Sequence, residues 1–367
     1  MVLQSPEKAV TFYLARREKL IGKMCAEELP ALLITDLANV RYLSGFTGSS
    51  GHLLVTPETI WFMTDSRYTT QAEKQICDVK IVEYKEEVKS IVEVLEDNNI
   101  KEVGFESEHI SSAKYDELLS KLGTIKLKPT KKLVETIRIT KDELEMTAIR
   151  KLIFMLEQVF PHARDLVQPG TEERQVAIEL EYRLRKLGAD GPAFDFIVAS
   201  GERSAVVHGV ASDKVIQKDE IVILDWGAKA WGYHSDNTRT LSTGEVGEEL
   251  RDIYKIVWEA NRAAIESVKP GIELKAIDDA ARNIIKKSGY GEFFVHGTGH
   301  GVGLNIHEQP TVSWKGNAAA KPDMVFTIEP GVYVRGTGGV RLEDMVLVTE
   351  TGCEVLTGRI AKPSVLI

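Results

Sequence analysis

Short apolar runs alternate with helical periodicity through the first third of the chain, and long amphipathic stretches interleaved with wholly apolar runs fill the rest. A helix opens at Ser5-Pro6, with proline in its first turn, and runs to about residue 29. Residues 31–35 are a short apolar run, and residues 36–43 lead from it into the glycine-rich loop 45–51. Residues 53–56 and 59–64 flank Pro57-Glu58 and predict a hairpin. Residues 86–97 predict a helix, 103–105 a strand and 111–122 a helix. This order of elements describes an α/β unit of about 125 residues.

Residues 126–141 are basic and turn-like around Pro129. They put a domain boundary there: an N-terminal domain over 1–130, a linker over 131–140 and a second domain over 141–367. The second domain begins with a helix over 141–167 that ends before Pro169-Gly170. Thr171 is the expected cap of the next helix, which Gly188 stops. Two more helices follow over 248–269 and 273–288, ended by Pro270-Gly271 and Gly289. Strand-rich segments lie between and after them.

Composition narrows the class. Of 367 residues, 43% are hydrophobic and 28% charged, the mix of a folded globular chain, which excludes a fibrous or disordered one. No apolar run approaches the ~18 residues of a membrane helix, and the N-terminus lacks the basic-then-apolar layout of a signal peptide. Cys25, Cys77 and Cys353 are widely spaced and odd in number, so they fit neither a disulfide framework nor a zinc cluster. A reducing cytoplasm is the expected location. A net charge of −9 disfavours nucleic acid as a partner. Five of the eight histidines fall between His208 and His307, which points to that segment for chemistry.

Two phrases there echo one another. Ile221-Val-Ile-Leu-Asp-Trp-Gly227 and Val325-Phe-Thr-Ile-Glu-Pro-Gly331 each end an apolar run in an acid, and each is followed by a glycine-containing turn and a second acid. The acids are Asp225 and Asp236 in one case, Glu329 and Glu343 in the other. A hairpin near Gly232 would bring Asp225 and Asp236 side by side, where two carboxylates repel unless they share a proton or a cation. Taken singly, each acid has an ordinary explanation: Asp225 ending a strand, Asp236 paired with Arg239, Glu329 and Glu343 bridged to Arg335 or Arg341. His296-Gly-Thr-Gly-His300-Gly-Val-Gly303 is too rich in glycine for a helix and reads as a strand or loop where backbones approach closely. His307-Glu308 follows it. Four buried-looking carboxylates with at least one imidazole need cations, and an oxygen-rich set with one nitrogen suits Mn²⁺, Co²⁺, Fe²⁺ or Zn²⁺.

Asp225, Asp236, His300, Glu329 and Glu343 stand in the order and context of the creatinase/prolidase-like "pita-bread" metallopeptidases, which the chain resembles. Ser235-Asp-Asn-Thr-Arg-Thr240, the His296–Gly303 phrase, Thr327-Ile-Glu-Pro-Gly331, Gly339-Val-Arg-Leu-Glu-Asp344 and Ile197-Val-Ala-Ser-Gly201 followed by Val207-His-Gly209 carry that resemblance. Asn39-Val-Arg-Tyr-Leu43, residues 45–51 and Thr64-Asp-Ser-Arg-Tyr68 resemble the creatinase-type N-terminal domain of Xaa-Pro aminopeptidases and prolidases. The fold class implied is α/β (α+β), a pita-bread catalytic domain behind a smaller creatinase-type α/β domain.

The resemblance implies two divalent ions, with Mn²⁺ first and Co²⁺, Zn²⁺ or Fe²⁺ as alternatives. Asp225 would hold one ion, His300 and Glu329 the other, and Asp236 and Glu343 would bridge them. A hydroxide between the ions would be the nucleophile, Glu329 would shuttle its proton, and His208, His307 and Arg341 would serve catalysis around the metals. An alternative for Arg341 is to orient Glu343. The implied substrate is a peptide with proline in second position, cut as an Xaa-Pro aminopeptidase would. The alternatives are an Xaa-Pro dipeptidase, a metal-free creatine amidinohydrolase or a non-catalytic binding protein; the last two are disfavoured by an intact ligand set. A homodimer is the implied assembly. Val207, Trp226, Asn237 and Asn305 depart from the family pattern, which bears on substrate preference and metal affinity.

Overall fold

The computed structural model describes residues 6–363 and Leu366, so Ser5 lies outside the described residues. The chain divides between Arg138 and Ile139 into two compact units.

The N-terminal unit runs α1 (Pro6–Ala26), β1 (Leu32–Ile34), α2 (Leu37–Ser44), β2 (His52–Val55), β3 (Ile60–Asp65), α3 (Thr69–Gln75), β4 (Lys80–Tyr84), α4 (Glu87–Asp97), β5 (Glu102–Glu106), α5 (Ser112–Lys121), β6 (Lys126–Thr130) and α6 (Glu135–Arg138). Its strands form one mixed sheet in the order β4-β3-β2-β1-β5-β6. The β2–β3 hairpin forms as its pattern predicts, with His52 opposite Met63. Leu33, Leu54 and Met63 from the sheet pack against Val88, Ile91 and Leu95 of α4 and Leu118 of α5. Burial of these side chains, each contributing about 1.5–3 kcal/mol, drives the packing of the two helices on the sheet.

Two segments differ from their sequence reading. Residues 37–44 are helical because the Asp36 side chain accepts from the Ala38 N–H at 2.9 Å and so caps a turn too short to show periodicity. Residues 126–130 are a strand, not a turn. β6 is the last strand of its sheet and pairs on one side only, where a proline without an N–H is tolerated. The residues expected to connect the domains then include the helical turn α6.

The second unit opens with α7 (Glu143–Leu166) and α8 (Glu173–Leu187), followed by β7 (Gly191–Pro192), β8 (Ile197–Ser200), β9 (Ile221–Trp226), β10 (Ala228–Ala230), β11 (Tyr233–His234) and β12 (Asn237–Ser242). Then come α9 (Glu248–Ser267), α10 (Leu274–Lys287), β13 (Gly299–Gly301), β14 (Glu308–Val312), β15 (Val325–Ile328), β16 (Gly331–Val334), β17 (Gly338–Arg341), β18 (Asp344–Val348) and β19 (Cys353–Val355). A capping box between Asp142 and Glu145 starts α7. Thr171 does not cap α8. Its first-turn N–H groups on Glu173 and Arg174 instead reach the carbonyls of Lys214 and Ser212, so the segment 212–214 does the work of a cap.

The echo between the two acid-bearing phrases has a structural counterpart. In each half a helix pair precedes a strand that runs inward, a hairpin, and a strand that returns antiparallel: β9, β10–β11 and β12, then β15, β16–β17 and β18. The first hairpin turns at Trp231 and Gly232, both at positive φ (52° and 81°), the backbone signature of a tight two-residue turn. Ile253, Val257, Ile277, Ala281 and Ile285 of α9 and α10 pack against Phe326, Ile328, Val340 and Val346 of the second half. In the first half Phe160 of α7 stacks on Trp226 at 5.6 Å between ring centroids. Among the described residues no helix is long and apolar enough to cross a membrane.

Candidate metal centre

The two halves are stitched together where their returning strands meet. The Glu343 N–H donates to the Thr238 carbonyl at 3.1 Å, and the Asn237 amide donates to the Glu343 carbonyl at 2.8 Å. Thr240 Oγ1 donates to the Arg341 carbonyl and accepts from the Arg341 N–H. These bonds set Asp236, just before β12, beside Glu343, just before β18. Asp225, at the end of β9, stands opposite Thr238 in the register. Glu329 follows β15, and its N–H is held by the Thr298 carbonyl at 2.7 Å.

His300 enters from β13, squeezed between β14 and β15. Here the glycines of its phrase are required. A Cβ on Gly299 would overlap the Thr327 carbonyl and one on Gly301 the Gln309 carbonyl. His300 Nδ1 faces the Gly301 carbonyl at 3.1 Å, so that nitrogen carries the proton. Nε2 is thereby left with a lone pair directed at carboxylates, 3.2 Å from Glu329 Oε1 and 3.6 Å from Asp236 Oδ2.

Acceptors facing acceptors need a cation, and the rest of the site repeats that demand. Asp225 Oδ1 and Glu343 Oε1 are buried with no hydrogen-bond partner. Asp225 Oδ2 accepts from Arg341 Nη2 at 2.6 Å, and Glu343 Oε2 accepts from Thr238 Oγ1 at 2.8 Å. Burial, then the charge of neighbouring carboxylates, pushes Asp236 and Glu343 well above the usual carboxylate range. Burial raises Asp225 too, against the pull of Arg341. Glu329 is likewise buried, but whenever His300 Nε2 does carry a proton, the hydrogen bond and charge of that imidazolium, with positive charge at His296 and Arg341, hold Glu329 at about 2, so a proton can answer the same demand for a cation. Asp236, His300 and Glu343 each place a ligand atom within 4.8 Å of the others. An oxygen-rich donor set with one imidazole and orphaned buried oxygens fits divalent cations. All five residues singled out as ligands face one cavity of about 640 Å³.

The other candidates line the same cavity. The ring of His307 meets that of His300 edge-on at 4.2 Å, and His208 lines the wall with Val207. Arg341 is buried and does not touch Glu343 directly. Its Nε donates to Thr238 Oγ1 at 3.1 Å, which in turn donates to Glu343. Arg239, expected beside Asp236, is drawn to Asp344 at 2.8 Å and to the Ile360 carbonyl, so Asp236 has no such partner. No ion pair joins Glu329 to Arg335 or Glu343 to Arg341 among the described residues.

Several participants were not singled out from sequence. Tyr333 accepts from Arg341 Nη1 at 2.9 Å, and its hydroxyl lies 2.9 Å from His296 Nε2. Because His296 Nδ1 faces the Gly297 carbonyl, the phenol donates to Nε2. Burial pushes Tyr333 up to about 12, against the pull of Arg341, so it stays a neutral donor. His296 was visible as part of the glycine-rich phrase; Tyr333 and Thr238 sit in strands with nothing in their spacing to mark them. Of the four departures, only Val207 lines the cavity. Trp226 and Asn237 are buried behind it, and the Asn305 carbonyl accepts from Gly303.

Residues 147–350 match metallopeptidase family M24, and residues 16–140 match the creatinase/prolidase N-terminal domain. An Xaa-Pro dipeptidase of Pyrococcus horikoshii is 39% identical over 93% of this chain and 96% of its own. A structure of an Xaa-Pro dipeptidase from Bacillus anthracis superposes with a TM-score of 0.93 at 37% identity, covering 97% of this chain and 99% of the other. A structure of an X-Pro aminopeptidase from Thermotoga maritima gives 0.87 at 37% identity over 95% and 98%.

Proposed function

The chain belongs to metallopeptidase family M24, and on that premise we propose that it is an exopeptidase that hydrolyses the bond between an N-terminal residue and a following proline. The observation that carries the reading is the cavity itself: four carboxylates and His300 converge on it, with buried oxygens of Asp225 and Glu343 still lacking a partner. Asp225, Asp236, His300, Glu329 and Glu343 would hold two divalent ions. Such ions supply Lewis-acid polarisation of a scissile carbonyl and an acidified water.

The chain's own groups do the rest. Arg341 fixes Asp225 and, through Thr238, Glu343. Thr327 Oγ1, donating to Glu329 Oε1 at 3.0 Å, sets the carboxylate that would take the proton of the attacking water. His208 and His307, which line the cavity, would hold the carbonyl oxygen and protonate the departing proline nitrogen. An Xaa-Pro bond is a tertiary amide with no N–H, so a site that recognises its substrate without that donor is required. The same reading carries Mn²⁺ as the first ion to test, a homodimer and a cytoplasmic location. Cys25, Cys77 and Cys353, all free, accord with a reducing compartment.

Aminopeptidase and dipeptidase are both represented among the relatives at 37–39% identity, so similarity does not divide them. The test of the shared reading is hydrolysis of Ala-Pro and Ala-Pro-Ala-Ala against Ala-Ala and Ala-Ala-Ala-Ala by the Mn²⁺-loaded protein. Release of alanine from the proline peptides alone is expected. Equal rates on both sets would remove the proline specificity.

A further inference from the structure

The strands that carry the second pair of acids come apart where the acids stand. β15 and β18 pair as far as Ile328 opposite Asp344, and β16 and β17 take over at Gly331 opposite Arg341. Glu329 and Glu343 sit in the gap between those two ladders. Their own N–H groups bond outward, to the Thr298 and Thr238 carbonyls. Across the gap the Leu342 N–H reaches the Pro330 carbonyl at a long 3.4 Å.

A side chain from α9 spans the same gap. Asn261 is fully buried, and its Nδ2 donates to the Ile328 carbonyl at 2.9 Å and to the Leu342 carbonyl at 3.1 Å. Those carbonyls belong to the residues immediately before Glu329 and Glu343. Carbonyls only accept and an ammonium only donates, so both ends of the amide are dictated: Nδ2 faces the strands, and Oδ1 accepts from Lys362 Nζ. Lys362 also pairs with Asp344, the residue after Glu343. Asp344 is held in turn by Arg239, which donates from Nη1 to the Glu343 carbonyl. The buried face of α9 is otherwise apolar around this position, with Val257, Ala260 and Ala264 in the core. Asparagine is a modest helix former and costly to bury, so packing alone does not call for it there.

Resting on the metal-centre reading above, we propose that Asn261, oriented by Lys362, is a positioning residue of that centre. One amide ties the chain ahead of Glu329 to the chain ahead of Glu343 and so sets how far apart the two carboxylates stand. Affinity for the divalent ions is thereby set in part from α9 and from the C-terminal segment, neither of which supplies a ligand.

The test is a Mn²⁺ titration of metal-stripped wild type, Asn261→Leu, Lys362→Met, Lys362→Arg and Ile253→Val, with Kd read by equilibrium dialysis and the Tm of each stripped protein measured alongside. Asn261→Leu keeps the branched shape and removes both donors. It should weaken Mn²⁺ binding about 10–100-fold, the usual cost of losing a group that orients metal ligands. Lys362→Met should weaken it in the same direction, and Lys362→Arg should bind more tightly than Lys362→Met. Ile253→Val, two turns earlier on the buried face of α9, should lower Tm and leave Kd in place. Wild-type affinity in Asn261→Leu overturns the inference, as does an equal loss of affinity in Ile253→Val. Should Asn261→Leu not fold, Lys362→Met decides, and a wild-type Kd there overturns it. A wild type that binds no Mn²⁺ would instead bring down the metal-centre reading itself.

Discussion

Arg341 and Asp225 lie 116 residues apart and meet at 2.6 Å, both buried, one from each half of the repeated architecture. The guanidinium binds one oxygen of Asp225 and leaves the other without a partner. It thus aims a carboxylate at the cavity while compensating part of its burial cost.

Removing that guanidinium leaves an uncompensated buried acid. Arg341→Met should lower stability by about 3–5 kcal/mol in urea denaturation. Arg341→Lys keeps a charge but not the planar fork that reaches Asp225, Thr238 and Tyr333 together. It should fold and lose most of its activity.

His300 and His307 touch, yet they should fail in different ways. His300→Ala should lose bound metal, measured as ions per chain, along with activity. His307→Ala should keep its metal and lose kcat by about 10²-fold or more, the usual worth of a positioned proton donor or acceptor.

Asp236 and Glu343 repel one another across a buried gap. Asp236→Asn removes that repulsion and also one of the ligand atoms. The metal-free variant should melt at or above metal-free wild type, whereas the rise in Tm that Mn²⁺ gives the wild type should vanish. A metal-free variant that melts well below the wild type would contradict the account of Asp236 as a strained anion.

The N-terminal unit offers a pH test away from the metal site. Burial alone would raise Glu87, but hydrogen bonds and charge from His52 at 2.9 Å and Lys114 at 2.7 Å hold it at about 2. Its folded value lies below the unfolded one, so the carboxylate stabilises at neutral pH and that contribution fades as pH falls from about 4.5 toward 2. Glu87→Gln should lower stability at pH 7 by no more than about 3 kcal/mol, and the gap should narrow steadily in urea titrations taken down to pH 3.

How legible all this was depended on the kind of contact. The helices α4, α9 and α10 have strong 3.6-residue periodicity and were readable from it, as was the β2–β3 hairpin from its alternation and turn. α2 was hidden because its stop and start depend on Asp36 and Gly45 rather than on a pattern. β6 was hidden because lysines and a proline suit an edge strand as well as a turn. In the site, each acid was visible as an anomaly at the end of an apolar run. What no run of residues displays is which cation an acid will find, and here topology sent Arg239 to Asp344 and Arg341 to Asp225. Tyr333 and Thr238 act only through those partners, so their roles appear only once the halves are joined.

The most direct measurement is a titration of Mn²⁺ into metal-stripped protein, reading bound ions per chain and hydrolysis of Ala-Pro and Ala-Pro-Ala-Ala in the same samples. The account predicts no cleavage without metal, binding that approaches two ions per chain, and hydrolysis that rises with occupancy. Both peptides left intact with the ions bound, or cleaved as fast after stripping as before, would contradict it.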